Sequence, residues 1–330
     1  MATLGTTALT LLDWARRVDP EGKIAKIVEI LNDTNEILED MAWVEGNLPT
    51  GHKTTIRSGL PSVAWRLLNY GVQPSKSRTV QVTDSCGMLE AYSEVDKALA
   101  DLNGNTPEFR LSEDRAFLEA MNQELATTLF YGNTATDPEK FLGLAPRFND
   151  LSAENGGNIL SGAGSGSTNT SVWLVLWGDM TCHGVFPKGS PTGLQHKDLG
   201  EDTLVDAAGG KYQGYRAHYK WDAGLTLKDW RFVVRIANID VANLTKNASG
   251  SSADLIDLFT QALETVENLK MGRPVFYCNK TIRSFLRRQI TNKSNVNLTL
   301  DNVAGKMQLM FDDVPIKRCD AILNTEATVS

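Results

Sequence analysis

KYQGYRAHYKWDAGLTLKDWRFVVRI, at residues 211–236, has the most regular pattern in this chain. Apolar side chains stand at every second position from Tyr215 to Leu227, and most positions between them are polar. This two-residue period is typical of a half-buried β-strand. A strand of this length exceeds the common value of about 5–6 residues, so we expect it to bend or to extend past one compact core. After Asp229 the apolar positions change parity, which predicts a bulge or a turn.

The bulk composition narrows the class of protein. The chain has 330 residues, of which 42% are hydrophobic, so it can bury one large core or two smaller ones. Its net charge of −7 argues against a dedicated nucleic-acid binder, because such proteins carry a dominant basic face. The N-terminus lacks the features of a secretory signal, and no run of about 18 apolar residues occurs. We expect a protein that folds in a cytosol, with four buried or half-buried thiols at widely spaced cysteines.

Charge changes sign twice along the N-terminal half. Residues 1–47 hold nine carboxylates against four cations, and residues 48–83 hold five cations and no Asp or Glu. Residues 84–124 then hold ten carboxylates against three cations. The middle segment alternates turn residues with short Thr/Val/Ile stretches, which predicts an extended β-excursion without a core of its own. A solvated face is the usual reason for a charge run, but this order also favours attraction between copies.

The remaining patterns predict ordinary elements. Amphipathic spacing indicates helix faces over 24–31 and 37–41 with an interruption at 32–35, a long helix over 112–131 that ends at Gly132, and a helix over 253–269. Residues 151–171 have loop composition, whereas 171–177 and 274–279 read as buried strands. Asn279 stands where a helix N-cap belongs, before a helix over 281–290 with an outward cationic face. Residues 296–323 predict a hairpin.

No catalytic or metal site is predicted. Cys182, His183 and His196 come nearest to a Cys/His nucleophile or a zinc cluster, but their spacing matches no ligand pattern. His218 falls on the polar face of the long strand, where a surface histidine is the expected role. The segment GAGSGS at 162–167 lacks the ending of a phosphate loop. We therefore expect a protein that is not an enzyme and that has no cofactor and no metal.

The C-terminal third resembles a known family. The segments that carry the resemblance are PVFYCNKTIRSFLRRQI at 274–290 and MQLMFDDVPIKRCDAIL at 307–323, supported by GVFPKGSPTGLQHKDLGE at 184–201 and the long strand region up to Asp240. They resemble major capsid proteins of tailed bacteriophages with the HK97-like fold, in a branch of short-tailed phages. The resemblance covers residues 170–325 by motif and residues 1–132 by architecture alone.

The resemblance implies an α+β fold with several regions. These are an N-terminal arm (1–47), an extended β-loop (48–83), a peripheral domain with a long spine helix and a β-sheet (84–150), a first part of a mixed α/β axial domain (151–210), long peripheral-domain strands (211–240), and the second axial part with the C-terminal strands (241–330). Such a chain is a structural subunit that self-assembles into the icosahedral head shell around the phage genome.

The resemblance also implies contacts between copies, because in such shells the extended loop of one subunit lies over its neighbour. We expect the loop cations to pair in part with carboxylates of a neighbouring copy. The predicted contact residues are Lys53, Arg57, Arg66, Lys76 and Arg78 on the loop, and Glu90, Glu94, Asp96, Glu113, Asp114 and Glu119 on the acidic segment. Each exposed pair contributes only about 0–1 kcal/mol, but repetition over a shell would make assembly cooperative and sensitive to salt.

The expected partners follow from the same resemblance. They are further copies of the chain in pentamers and hexamers, a separate scaffolding protein, a portal, a decoration protein, and packaged double-stranded DNA through weak contact, but no membrane. Since the arm reaches the loop by about residue 48, we expect no built-in scaffold and no large maturation cleavage. The place of action is the virion, after assembly in the cytoplasm of a bacterial host.

Two other functions stay open at this stage. An encapsulin-like nanocompartment shell would share the fold and differ in cargo. A β-rich protein that binds or cleaves carbohydrate could use the aromatic side chains of the long strand as a groove, although no carboxylate pair suits glycoside hydrolysis. Electron microscopy of the expressed protein separates a container from a small oligomer.

Overall fold

A computed structural model describes residues 9, 35–104, 106–206, 208–244, 253–289, 298–303 and 306–330. The amphipathic segment predicted at 24–31 and most of the predicted arm lie outside the described residues. Within them, the α-helices are α1 (Ile37–Asp40), α2 (Lys97–Ala100), α3 (Thr106–Tyr131), α4 (Leu255–Thr265) and α5 (Lys280–Gln289). The strands are β1 (Trp43–Glu45), β2 (Gly51–Gly59), β3 (Arg78–Asp96), β4 (Ile159–Ser161), β5 (Asn169–Trp177), β6 (Cys182–Phe186), β7 (Gln195–Val205), β8 (Lys211–Leu227), β9 (Val233–Asp240), β10 (Arg273–Cys278), β11 (Leu298–Val303), β12 (Lys306–Phe311) and β13 (Val314–Arg318).

The strands form a mixed sheet in the order β11-β12-β13-β10-β5-β6-β8-β3-β2. Beside this path, β1 pairs with β6, β4 with β9, β7 with β8, and β9 with β5. β9 therefore pairs with strands of the predicted axial part, whereas β8 pairs along most of its length with β3 and β7. The observed architecture confirms the predicted α+β class.

The central strand β5 is buried on both faces. Val172, Leu174 and Leu176 point to a core covered by α4 and α5, while Trp173 and Val175 point to a second core. That second core includes the C-terminal half of α3, the loop around 141–148 and the chain end. Strands with apolar residues at every position are typical of a sheet covered on both sides, and the run 171–177 was predicted on that ground.

The long strand is confirmed as β8. Between Gly214 and Trp221, Gly214, Ala217 and Tyr219 are buried and the other residues are half-buried. From Asp222 to Leu227 both faces are buried, because β6 and the α3 core close over the strand. The predicted irregularity after Asp229 is a 3-10 turn at Trp230–Phe232. The Asp229 side chain caps this turn by accepting a hydrogen bond from the Arg231 amide. Odd-numbered residues face the same core before and after the turn, Ala223, Leu225 and Leu227 in β8 and Val233 and Ala237 in β9, whereas Val234 and Ile236 face the core under α4 and α5.

Helix α3 begins at Thr106, earlier than the predicted Ser112, and ends at Tyr131 as predicted. Its buried residues concentrate in the second half, where the helix lies on the sheet. Gly132 follows at a point of close backbone approach: a Cβ there would lie 2.3 Å from the carbonyl oxygen of Phe141. Only glycine allows the chain to turn so tightly against that loop.

The C-terminal elements also agree with the predictions. The Asn279 side chain accepts a hydrogen bond from the Ile282 amide and so caps α5, as the sequence indicates. Residues 298–311 form the predicted hairpin as β11 and β12, and β13 adds a third strand that pairs in parallel with β10. In the described ranges, no helix combines the length and the apolar character needed to cross a membrane.

Candidate assembly surfaces

Among the described strands, the hairpin of β2 and β3 pairs with the rest of the sheet only at its base, and its middle part lines a cavity with Glu154 and residues 228–231 of the body. Residues 86–96 of β3 pair with β8, whereas residues 78–85 pair with β2 alone among the described strands. At the base, Asp84 is buried and forms an ion pair with Arg147 at 2.8 Å. Gly51 lies so close to the partner strand that a Cβ would be 2.0 Å from the Asp84 carbonyl oxygen. A fixed base therefore carries a two-stranded hairpin, whose stability would be marginal in isolation.

The tip of this hairpin, residues 60–77, carries an exposed apolar surface. Six large side chains there are each at least 70% exposed, namely Leu60, Val63, Trp65, Leu67, Leu68 and Tyr70. A hydrogen bond from the Ser75 hydroxyl to the Ser62 carbonyl oxygen, 2.6 Å long, holds the two sides of the tip together. Apolar patches of this kind on a protein surface are typical of interaction sites.

The predicted loop cations lie along the same hairpin. Lys53, Arg57, Arg66, Lys76 and Arg78 are all exposed. None of them forms an ion pair with another residue that the structure describes. They are therefore placed to contact a second molecule.

The predicted carboxylates have contacts inside the chain. Glu90 lies 3.3 Å from His218 Nε2 and 3.6 Å from Lys220 Nζ, and Glu94 lies 2.8 Å from Arg216. Asp96 caps α2 by accepting a hydrogen bond from the Ala98 amide. A neighbouring cation would have to share these carboxylates, which weakens that half of the predicted pairing.

The three predicted carboxylates on α3, Glu113, Asp114 and Glu119, are half-buried and also have contacts. Glu119 accepts a hydrogen bond from Gln123 at 2.9 Å. Burial, together with the charge and hydrogen bond of Asp114, raises the pKa of Tyr219 to about 12. This face of α3 therefore packs against β8 while its carboxylates remain partly accessible.

An apolar groove lies where α3 crosses β3 and β8. It has a volume of about 210 Å³. Its large apolar lining residues are Met88, Leu89, Leu125, Phe141 and Trp221, and Glu124, Thr128, Glu139 and Lys140 also line it. Met88 is among the exposed large hydrophobic residues. The groove has the chemistry to accept apolar side chains from another molecule.

A buried carboxylate, Asp40, attaches the end of the predicted N-terminal arm (1–47) to the body. Asp40 is 6% exposed and lies 2.6 Å from Lys317 Nζ and 3.3 Å from Arg273 Nη2. It also accepts a hydrogen bond of 2.9 Å from the Tyr277 hydroxyl. Burial and the Asp40 charge raise the pKa of Tyr277 well above its usual value. The residues around Asp40, at the end of the predicted N-terminal arm, are thus held in a fixed position against β10 and β13.

The C-terminal tail is held by a second buried ion pair. Glu326 lies 2.9 Å from Arg235 Nη2, and both side chains are about 4% exposed. The Ser171 and Tyr131 hydroxyls donate short hydrogen bonds to the same carboxylate. Arg235 also donates to the Phe148 carbonyl oxygen at 2.7 Å. Sequence reasoning missed both anchors, because Asp40 and Glu326 have no local pattern that marks them.

The residues nearest to a Cys/His cluster are not brought together. The His196 ring stacks on Tyr219, whereas the fully buried His183 meets His52 with ring centroids 5.8 Å apart. Burial lowers the pKa of His183 to about 4, with Lys228 contributing, and burial raises the pKa of Cys182 to about 12. Cys182 and His183 are neighbours in β6, where successive side chains point to opposite faces of the sheet, so they do not form a nucleophile pair. In the part of the chain that the structure describes, no group of three His, Cys, Asp or Glu side chains could hold a metal.

The thiols agree with the sequence. Cys182, Cys278 and Cys319 are buried and Cys86 is half-buried, and all are free. Burial raises the pKa of each, to about 11 for Cys86 and about 12 for the other three.

Comparison with protein families gives a match over nearly the whole chain. The family described as major capsid protein GP7 matches residues 19–330. The chain belongs to this family. It is therefore a phage major capsid protein, a subunit that builds the capsid shell and is a component of the virion.

Solved structures agree with the family. A chain from the structure of bacteriophage Epsilon15 is 44% identical, with a TM-score of 0.79, and the match covers 100% of this chain and 99% of that chain. The capsid of bacteriophage JBD30 is 10% identical with a TM-score of 0.50, covering 89% and 93% of the two chains, and supports the fold alone. An encapsulin from Synechococcus elongatus PCC 7942 reaches a TM-score of 0.45 at 12% identity, covering 73% and 100%, and does not favour the nanocompartment alternative. A search of curated proteins gave no match.

Proposed function

We propose that this subunit assembles into a closed shell by laying its β2–β3 hairpin on a neighbouring copy, with the apolar tip as the main contact. The observation that carries this proposal is the tip itself, where large apolar side chains remain exposed on a hairpin that pairs with the rest of the described sheet only at its base. The apolar groove beside Met88 and Trp221 is the surface of the neighbour that matches the tip in chemistry.

The loop cations act together with the tip. Arg57, Arg78 and the other predicted cations lie on the same hairpin as the apolar residues of the tip. Docking the tip on a neighbouring copy therefore brings positive charge close to the acidic face of α3 and β3 of that copy. Charge complementarity of this kind increases the association rate and selects the register more than it adds affinity. The regions predicted from the resemblance, from arm to axial domain, are proposed as the working division of the subunit.

The finer functional assignments are proposals of the same standing. The subunit forms pentamers and hexamers, assembles in the cytoplasm of the bacterial host with a separate scaffolding protein, joins a portal and accepts a decoration protein. It acts as a structural protein without catalysis. The expected branch of short-tailed phages agrees with the similarity to the Epsilon15 chain.

Charge reversal on the hairpin tests the proposal. The double variant R57E/R78E should slow the formation of shells at early times, followed by light scattering and electron microscopy, and change the salt dependence of that rate. The matched control K188E/K197E reverses two exposed lysines elsewhere and should assemble like the wild type. Equal assembly of both variants, with unchanged salt dependence, would show that the hairpin cations take no part.

A further inference from the structure

A cationic cleft lies between α5 and the end of β13. It has a volume of about 490 Å³, and the described residues that line it are Lys280, Arg283, Ser284, Arg287, Arg288 and Arg318. No carboxylate and no large apolar side chain is among these lining residues. Such a surface is unusual in a chain whose net charge is −7.

Helical spacing produces the cleft. Lys280, Arg283, Arg287 and Arg288 follow one another at intervals that place them along one face of α5. Ile282 and Leu286 point the other way and are fully buried. With a rise of 1.5 Å per residue, the cationic stripe extends over about 12 Å.

Nearby carboxylates neutralise the cleft only in part. Glu36 lies 3.7 Å from Arg283 Nη1, and Asp320 bonds Arg318 through two hydrogen bonds. Asp320 also accepts the Lys280 backbone amide at 3.2 Å. Five cations against these two carboxylates leave the cleft with net positive charge.

We propose that this cleft binds the phosphodiester backbone of double-stranded DNA inside the shell. The inference rests on the proposed function, because it requires that the subunits assemble into a closed shell, and on the expectation from the sequence that this shell packages double-stranded DNA. Arginine presents a planar fork of donors that matches phosphate oxygens. A stripe of about 12 Å corresponds to three to four base pairs along the duplex axis, which rises about 3.4 Å per phosphate of one strand. Contact with backbone alone suits a container that holds DNA without reading its sequence.

An acidic protein segment is the competing ligand. Specific protein interfaces usually contain a buried aromatic or aliphatic anchor. Here the Arg288 guanidinium covers the Phe285 ring at 4.0 Å, and the described side chains of α5 and β13 include no large exposed hydrophobic residue. The cleft therefore favours a ligand that is recognised by charge and phosphate geometry.

The test uses the full-length protein and a labelled 30-base-pair duplex, with binding measured by fluorescence anisotropy at several salt concentrations. The variant R287Q/R288Q removes two exposed charges from the cleft, and the control K188Q/K197Q removes two exposed charges elsewhere. Each phosphate contact contributes about 0.9 to the slope of log K against log salt. We expect R287Q/R288Q to lose about 1.8 from that slope and at least tenfold in affinity, with a change below twofold in the control.

Three results would overturn the proposal. They are unchanged DNA binding by R287Q/R288Q, an equal loss in both variants, and binding of a polyglutamate peptide to the cleft without binding of DNA. If R287Q/R288Q does not fold, crosslinking of DNA in wild-type particles decides: crosslinks must include residues 280–288, and their absence there overturns the proposal. Electron microscopy tests the proposed function separately, since R287Q/R288Q should still form shells.

Discussion

Replacing Trp65 with alanine should weaken shell assembly more than any single charge change on the hairpin. The Trp65 side chain is fully exposed in the isolated subunit. An aromatic side chain of this size buries roughly 150–250 Å² in an interface. At about 25 cal/mol per Å², this burial corresponds to about 4–6 kcal/mol before the costs of ordering. Truncation of a well-packed tryptophan at an interface typically costs at least about 2 kcal/mol.

Each subunit of a closed shell gives one hairpin and receives one, so the cost per subunit is that of one contact. A loss of about 2–4 kcal/mol raises the critical concentration for assembly roughly 30-fold to 1000-fold, at about 1.4 kcal/mol per factor of ten. Light scattering against subunit concentration measures the critical concentration for assembly, and circular dichroism checks that W65A is folded. The control M180A truncates an exposed apolar side chain outside the hairpin and should change it little.

A critical concentration for W65A within threefold of the wild type would refute the tip as the main contact. The same conclusion would follow if M180A and W65A weakened assembly equally, because the effect would then come from general surface hydrophobicity. A specific loss in W65A that the groove variant M88E reproduces would identify the groove as the acceptor.

Three further predictions concern the anchors and the buried histidine. In E326A, Arg235 keeps a buried charge without its carboxylate, so the free energy of unfolding in urea should fall by about 3–5 kcal/mol, and R235M/E326A should recover much of it; a loss below about 1 kcal/mol would contradict the role of this pair. D40N removes the charge that Lys317 faces, so limited proteolysis should cut faster around residue 40, at the end of the predicted N-terminal arm. Unchanged cleavage would mean that other contacts hold this segment. For His183, whose pKa is about 4 when folded and 6.5 when unfolded, the unfolded state binds more protons between these values. Stability should therefore fall as pH drops from about 6.5 to 4, by up to about 1.4 kcal/mol per pH unit from this group, and H183Q should flatten the curve; parallel curves would rule the assignment out.

The elements that sequence could predict are those with local periodicity. The β8 strand, the turn after Asp229, the C-terminal end of α3 and the Asn279 cap all depend on residues close together in the chain. The family resemblance added the assembly role, which the match to major capsid protein GP7 confirms. The contact residues chosen from charge alone remain a prediction.

The residues that sequence missed depend on contacts between distant segments. Asp40 meets Lys317, and Glu326 meets Arg235, across the chain. No spacing rule links such positions. The start of α3 at Thr106 was missed because its first turns are amphipathic only weakly and pack through Phe109 against a small separate core. The apolar tip had a usable signal: residues 60–70 hold six large apolar side chains in a segment without strand alternation.

The free energies of ion pairs and of apolar contacts differ, and this difference decides how the hairpin contributes to assembly. An exposed ion pair contributes about 0–1 kcal/mol and is screened by salt, whereas an apolar side chain the size of leucine contributes about 1.5–3 kcal/mol when fully buried. Several such residues on the tip therefore outweigh the five loop cations in affinity. The cations act mainly before contact, by steering the hairpin toward acidic surfaces. Raising the salt concentration should accordingly slow assembly at early times and leave the final yield of shells nearly unchanged.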